Sequence, residues 1–352
     1  MSTTIAHCEM KLGGQDGVFV DWLTASQHHP QGGLPVLSGG LTVHYDASGV
    51  PRFERNCAAS IPGSYETSVR VGCDGFRVSL SGNPGRFSRQ DNLFNFGFSG
   101  TLAKANRILL GAGFPPFSAS RPLFEGENPI SKDEAETGIR RGALVSRLDL
   151  TANYATGSEP QARSVIRWLA DKSVARMKRG RAGDESVWWA NTRHMLKAYI
   201  KHLEMVSHGS SIDEFAVQWC KNQGVVRMEI ELKKRLLSEL GLNEIGNITD
   251  EKLAALFHDQ TEIFRSVDRS DEPDILAAIP SRSRAYAAAW LAGVDVRTLC
   301  GRSTLFVHAR ILREYGLDIL EPRNIERFPV KVRVIDLVPL QVPDWYLKEH
   351  AA

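Results

Sequence analysis

The 352-residue chain has no apolar run near the ~20 residues that a membrane-crossing helix needs. Its start, MSTTIAHCEMKLGG, lacks the basic opening and apolar stretch of a secretory signal, so a protein of the cytoplasm is expected. Cysteine is scarce: Cys8, Cys57, Cys73, Cys220 and Cys300 are odd in number, scattered, and never in a CxxC pair. That spacing argues against a disulfide framework and a zinc knuckle, and favours reduced, mostly buried thiols. There is no internal repeat and no low-complexity tract. Nor is there an excess of one charge sign: the net charge of +2 does not by itself announce a nucleic-acid binder.

Hydrophobic residues make up 42% and charged residues 24%, as in a soluble globular protein large enough to build its own core. The charge is unevenly spread. Residues 163–181 hold seven Arg or Lys and one Asp, whereas 125–136 hold five Asp or Glu and one Lys. The basic stretch could meet phosphates, or could be a solvated helix face running into a loop.

The first hundred residues read as short alternating strands, with VRVGCDGFRVSLSG (69–82) forming two strands broken near Asp74–Gly75. A loop is expected over 113–138 and a strand over 145–154. Residues 158–173 should form a helix, capped by Ser158 with Pro160 in the first turn. Strand, bend and strand follow over 186–202, with Asn191–Thr192 in the bend, then a strand running into a helix over 225–237. Periodicity predicts helices over 251–264, 284–292 and 303–315. The expected class is therefore α+β. A mainly antiparallel nuclease-like domain covers 1–245, a small helical domain covers 250–330, and a terminal strand and tail cover 331–352, the strand lying over 330–338.

Every second residue of a strand shares a face. That rule puts Arg147, Asp149 and Thr151 together, likewise Lys197, Tyr199 and Lys201, and likewise Arg227, Glu229, Glu231 and Lys233. If the three strands join one sheet, one side packs on helices and the other presents carboxylates, a tyrosine and cations. Such a face suits phosphodiester cleavage. Carboxylates can hold a hard divalent cation such as Mg²⁺, and a tyrosine can attack phosphorus. Neighbouring lysines can hold DNA phosphates and lower the tyrosine's pKa. The same pattern also describes a solvated sheet face with stabilising cross-strand ion pairs. Of the paired tryptophans, one of Trp188 and Trp189 should be core, and the other could stack on an unpaired base.

Several blocks together resemble the filamentous-phage replication initiators of the gene II / X family. They are SRLDLTANY (146–154), SVWWANTRHMLKAYIKHLEM (186–205), GVVRMEIELKKRLLSELGL (224–242) and VRVIDLVPLQVPDWY (332–346), in the family's order and rough spacing. GNPGRFSRQDNLFNFG (82–97) is similar to a block shared by many phage and plasmid initiators. The resemblance implies site-specific nicking of the double-stranded replicative form, priming from the 3′-hydroxyl, and recircularisation of the displaced strand. The work would be done beside the host's replication helicase and polymerase.

By motif, Tyr199 corresponds to the nucleophile, Lys201 to a phosphate contact, and Asp149 and Glu229, with Glu231 less directly, to ligands of Mg²⁺ or Mn²⁺. Lys197, Arg193, Arg147, Arg227 and Lys233 would meet DNA. The turn Gly82–Gly85 would add Arg86 and Arg89, with Asp91 and Asn92 assisting, unless it is simply a structural turn. The chain departs from many rolling-circle nucleases in two ways. No two of its ten histidines stand two residues apart, so a metal site must lean on Asp and Glu or on histidines brought together by folding. No second tyrosine stands one helical turn from Tyr199, so a paired-tyrosine strand transfer is not supported.

Residues 283–316 look like a helix-turn-helix: an Ala-rich helix to Gly293, a short helix from Asp295, and a third capped by Ser303. Arg302, Arg310 and Arg313 would reach DNA from that third helix, although an ordinary helical bundle has the same pattern. Two other functions compete with the nicking enzyme. One is a non-catalytic origin-binding regulator; the other is a metal nuclease that uses water and leaves Tyr199 structural.

Overall fold

The computed structural model describes residues 12–174, 176–207, 213–265, 276, 279–315, 317–320 and 338–349. The strand expected at 330–338 lies outside the described residues except for Val338, which is not in a strand.

In chain order the elements are β1 (Phe19–His28), β2 (Gly40–Tyr45), β3 (Pro51–Cys57), β4 (Ala59–Pro62), β5 (Ser68–Cys73), β6 (Arg77–Gly82), α1 (Phe98–Gly111), β7 (Arg121–Pro122), α2 (Lys132–Thr137), β8 (Ile139–Arg140), β9 (Leu144–Ala155) and α3 (Glu159–Ala170). They continue with β10 (Lys178–Ala182), β11 (Ser186–Ala190), β12 (His194–Ile200), α4 (Lys201–Ser207), α5 (Glu214–Gln223), β13 (Val225–Lys233), α6 (Lys234–Glu239), α7 (Asp250–Arg265), α8 (Ser281–Leu291), α9 (Arg302–Arg313) and α10 (Asp344–Glu349).

The fold is α+β. Nine strands form one sheet in the order β10-β11-β12-β13-β9-β1-β6-β5-β4, and each neighbouring pair is antiparallel. Period-two alternation builds it. Leu148, Leu150 and Ala152 of β9 and Val226, Met228, Ile230 and Leu232 of β13 are buried on one face. Ala162, Val165, Ile166 and Leu169 of α3 join them in the main core, as do Ala105 and Leu109 of α1. Each large apolar side chain taken from water there stabilises the fold by about 1.5–3 kcal/mol before chain entropy is subtracted. Ser158 caps α3 as its sequence predicts, accepting from the Gln161 N–H.

The other face carries the alternating polar residues, but it is not simply solvated. A second apolar cluster roofs one end of it, made by Phe19, Leu93, Phe94 and Phe96, by Ala216 and Cys220 of α5, and by Tyr346 of α10. A third cluster lies in the C-terminal helices, around Trp290, Val296, Leu305 and Leu312. The helix expected to open the second domain, α7, instead places Leu253, Ala254 and Phe257 in the main core, so the boundary read at 241–250 does not separate it from the sheet.

In the expected helix-turn-helix, α8 is followed by a one-turn 3₁₀ segment, Val296–Thr298, capped by Asp295, and then by α9. Ser303 does not cap α9: Gly301 holds the N-cap position without a side-chain bond, and Ser303 lies inside the first turn. No described helix is long and apolar enough to cross a membrane.

Candidate active site

Strand register brings the singled-out residues together. Lys197 stands opposite Glu229 and Tyr199 opposite Arg227 across β12 and β13. Glu231 faces Asp149, Glu229 faces Thr151, and Lys233 faces Arg147 across β13 and β9. On the far side of β9, β1 pairs Phe19 with Thr151 and Trp22 with Asp149, and the ladder slips between Val20 and Trp22. Such a slip re-aims a side chain. Asp21 sits at it, and its carboxylate meets Arg227 of β13 and the Asn83 and Asn92 amides.

Tyr199 donates its hydroxyl proton to Glu229 Oε1 at 2.5 Å, and the Lys197 ammonium lies 4.4 Å from the centre of the tyrosine ring. Tyr199 is only 5% exposed, so desolvation matters for its chemistry. Burial, then the Glu229 charge, push its pKa well above the ordinary phenol value; Arg227 opposes them. The expectation that neighbouring lysines make the resting tyrosine more acidic is therefore corrected, because burial disfavours phenolate more than nearby cations favour it. Glu229 is shifted upward too, by burial and then by Asp21, against the pull of Arg227, Lys197 and the tyrosine hydrogen bond. A carboxylate with raised proton affinity, bonded to a hydroxyl, is poised to take that proton.

Two of the cations expected at DNA are buried instead. Arg227 is fully buried: its guanidinium donates to Asn153 Oδ1 at 2.9 Å, to the Asn92 and Leu93 carbonyls at 2.7 Å each, and to Asp21 at 3.4 Å. It binds the 82–97 loop to the sheet and cannot reach a phosphate. Lys201 is likewise buried, because β12 ends at Ile200 and the turn into α4 takes Lys201 off the strand's alternation. Its ammonium bonds Asn92 Oδ1 at 2.8 Å and Glu204 at 2.6 Å. Asn92 also donates to both oxygens of Asp21, at 3.0 and 3.1 Å.

Arg89, a third expected DNA contact, serves structure: it donates to the Gly85 and Phe94 carbonyls and to the Tyr346 hydroxyl at 2.7 Å. Arg86 lies in the same turn, where its backbone N–H bonds Asn83 Oδ1. Gly85 is required here, because a Cβ would sit 1.8 Å from Asn95 Oδ1. Asp21, the chief residue the sequence reading missed, lies in the strand FVDWL, and its one signal there is a carboxylate within an apolar run.

Arg147 donates to both oxygens of Asp149, at 2.9 and 2.7 Å, and lies 3.3 Å from Glu231 and 5.0 Å from the Trp22 ring centre. Burial, with Glu231 and Glu229 adding to it, raises Asp149 to about 7 despite Arg147. These are hard oxygen donors of the kind Mg²⁺ takes, and Thr151 beside Glu229 has a buried hydroxyl with no hydrogen-bond partner. Yet among the described residues no three His, Cys, Asp or Glu side chains are grouped to hold a metal ion. The Arg147 guanidinium takes the cation position between Asp149 and Glu231, and a metal ion held by those two carboxylates would have to displace it.

Lys233 bonds the Asn191 carbonyl and Arg193 pairs with Glu239, while on the edge strand β10 Lys178 is exposed on this face and Arg181, opposite the core residue Val187, is exposed on the other. In the basic stretch, Arg163 and Arg167 are paired with Asp184. Trp189 is core, and Trp188 packs on Gly180. On α9, Arg302 and Arg310 are exposed, and Arg313 pairs with Asp318.

The sequence matches two family descriptions in succession: the N-terminal part of the phage replication-associated gene II protein over residues 60–251, and the C-terminal part of the same protein over 278–351. The chain belongs to the gene II replication-associated protein family. Within that family it is 26% identical to the replication-associated gene II protein of Escherichia phage If1, over 80% of this chain and 97% of the relative. It is 24% identical to that of Enterobacteria phage I2-2, over 93% of this chain and 96% of the relative. Among solved structures, it is similar at 12% identity and a TM-score of 0.31 to a rolling circle replication initiator protein from Geobacillus stearothermophilus, over 72% of this chain and 89% of that one. Asp149, Tyr199, Arg227 and Glu229 lie within the first matched block, whereas Asp21 precedes it.

Proposed function

We propose that this protein initiates phage DNA replication by nicking one strand of the origin, with Tyr199 as nucleophile and Glu229 as the base that takes its proton. The Tyr199 Oη–P bond forms as the bond from phosphorus to the 3′-oxygen breaks. The tyrosine proton goes to Glu229, and the released 3′-oxygen takes a proton from solvent, to which Glu229 returns its own, and so ends as a hydroxyl able to prime synthesis by the host polymerase, with the host helicase opening the duplex. Strand rejoining reverses the step.

The observation that carries this reading is the 2.5 Å contact from the Tyr199 hydroxyl to the half-buried Glu229 carboxylate, on a sheet face that also carries Lys197, Lys233 and Arg147. Lys197, Lys233, Arg193 and Arg147 supply phosphate contacts in it. Metal use enters in one form only: Mg²⁺ or Mn²⁺ would bind Asp149 and Glu231, with Glu229 adjacent, in exchange for Arg147, and no step above passes through it.

A second reading, a nuclease that uses water, is favoured by the 5% exposure of Tyr199. The two separate on supercoiled plasmid bearing the phage origin. Tyr199→Phe should lose nicking and the protein–DNA adduct, and Glu229→Gln should slow nicking by about 10²–10⁴-fold, the range for a lost general base. Nicking retained by Tyr199→Phe would give the reaction to water. Origin binding without nicking by the unaltered protein would leave a regulator.

A further inference from the structure

The 82–97 segment that lends Asn92 to the tyrosine site also lends Pro84 and Phe87 to a cleft of about 500 Å³ against α1. Lys104, Arg107, Ile108 and Gly111 form its helical wall, spaced three, four and seven residues from Lys104 and so on one stripe of the helix. Ile61 closes the other side. The floor is apolar, the rim carries two cations, and no acidic side chain lines the cleft. Burial, with Arg107 and Arg89 close by, lowers the proton affinity of Lys104, so like charges crowd here without a carboxylate to balance them. Gly111 faces open space, where a Cβ would meet nothing within 4 Å.

We propose that this cleft seats one unpaired nucleotide of the DNA strand, its base on Phe87, Ile61 and Ile108 and its phosphate on Lys104 and Arg107. The proposal rests on the replication reading above. A free phosphate would leave the apolar floor unused, and a base stacked within a duplex cannot enter a concave site. The volume falls in the range that encloses one small ligand. The 82–97 segment is common to the two places, through Pro84 and Phe87 in the cleft and Asn92 at the tyrosine site.

The test is fluorescence anisotropy of the full chain in metal-free buffer. The probes are fluorescein-labelled dT20 and a mixed-sequence 20-base-pair duplex, with dTMP as competitor. Gly111→Trp should fill the cleft without a backbone clash, and Lys104→Gln/Arg107→Gln should remove its charge. Each should weaken dT20 binding by about tenfold, the scale of one base–aromatic stack, with a much smaller change for the duplex. The charge variant should also flatten the salt dependence for dT20 by ~0.7 for each phosphate no longer neutralised. Unchanged dT20 binding, or equal weakening of both DNAs, would overturn the site. Displacement of dT20 by dTMP at equal nucleotide concentration would make it a free-nucleotide site and overturn the strand assignment.

If Gly111→Trp fails to fold by circular dichroism, Gly111→Leu and the charge variant decide. None of these readouts uses cleavage. Loss of dT20 binding in Gly111→Trp beside retained nicking in Tyr199→Phe would sink the tyrosine mechanism alone. The converse pair of results would sink the nucleotide site alone.

Discussion

At Glu229, burial and the Asp21 carboxyl pull the proton on, while Arg227, Lys197 and the tyrosine hydroxyl pull it off, and the upward shift wins. Catalysis in the proposed reaction needs the ionised form, so single-turnover nicking should rise with pH through a range above the ordinary carboxylate value. A rate flat from pH 5 to 8 would remove Glu229 as the base. Asp149 gives a second pH signature, in stability. Its folded value of about 7 lies above the ordinary 3.8, so between those values the folded state holds a proton that the unfolded chain has lost. Stability from this residue is therefore greatest at low pH and falls as pH rises through that window. Asp149→Asn removes the dependence, and its melting temperature relative to the unaltered protein should climb from pH 4 to pH 8. A difference that stays constant with pH would show that Arg147 keeps Asp149 ionised throughout.

Among the elements, the short helix α10 does more than its length suggests. Its Tyr346 hydroxyl donates to Asp91 at 2.6 Å and accepts from Arg89, with the ring against Phe94. Tyr346 thereby fixes the 82–97 loop, whose Asn92 and Leu93 carbonyls receive Arg227. Tyr346→Phe would leave buried partners unsatisfied and should destabilise the protein by about 1–3 kcal/mol in urea unfolding. A smaller loss would mean that the aromatic packing of α10, not its hydroxyl, holds the loop. The hairpin β11–β12 shows what local sequence can specify. Asn191 Oδ1 accepts from the Arg193 and His194 N–H groups, an Asx turn that sets the bend where its residue type predicts. The exit of β12 was not legible in this way, because alternation runs on through Lys201 while the chain turns into α4.

Over the whole molecule, the proposed reading gives DNA a further surface besides the sheet face and the α1 cleft, namely α9 with its exposed Arg302 and Arg310. Duplex binding by α9 is electrostatic in that reading. Arg302→Ala and Arg310→Ala should each lower the slope of log K against log salt by ~1 while leaving nicking of a pre-melted origin unchanged. Unaltered slopes would return α8 and α9 to the role of an ordinary helical bundle with its own core. Of the two charge-rich stretches that stand out in the sequence, the acidic one is largely taken up by internal pairing and the basic one in part. Arg163 and Arg167 meet Asp184, and Glu127 pairs with Arg121 and Arg140. Opposite charges distant in the chain neutralise each other once folded, which a count along the sequence cannot register.

The sequence by itself determined the α+β class, the polar face of β9, β12 and β13, and the placing of Tyr199 and Glu229 upon it. Period-two alternation is local, and β9, β12 and β13 obey it whatever their neighbours. Only the tertiary structure decided which side chains on that face remain available. A ladder slip in β1 delivers Asp21, and the 82–97 loop with α10 roofs one end of the face. Arg227, Lys201 and Arg89 are turned inward to hold that roof, because buried backbone carbonyls and carboxylates must be paired, and the nearest cations serve. Whether a lysine or arginine meets solvent or the interior depends on what the rest of the chain lays over it, and no spacing within its own strand contains that.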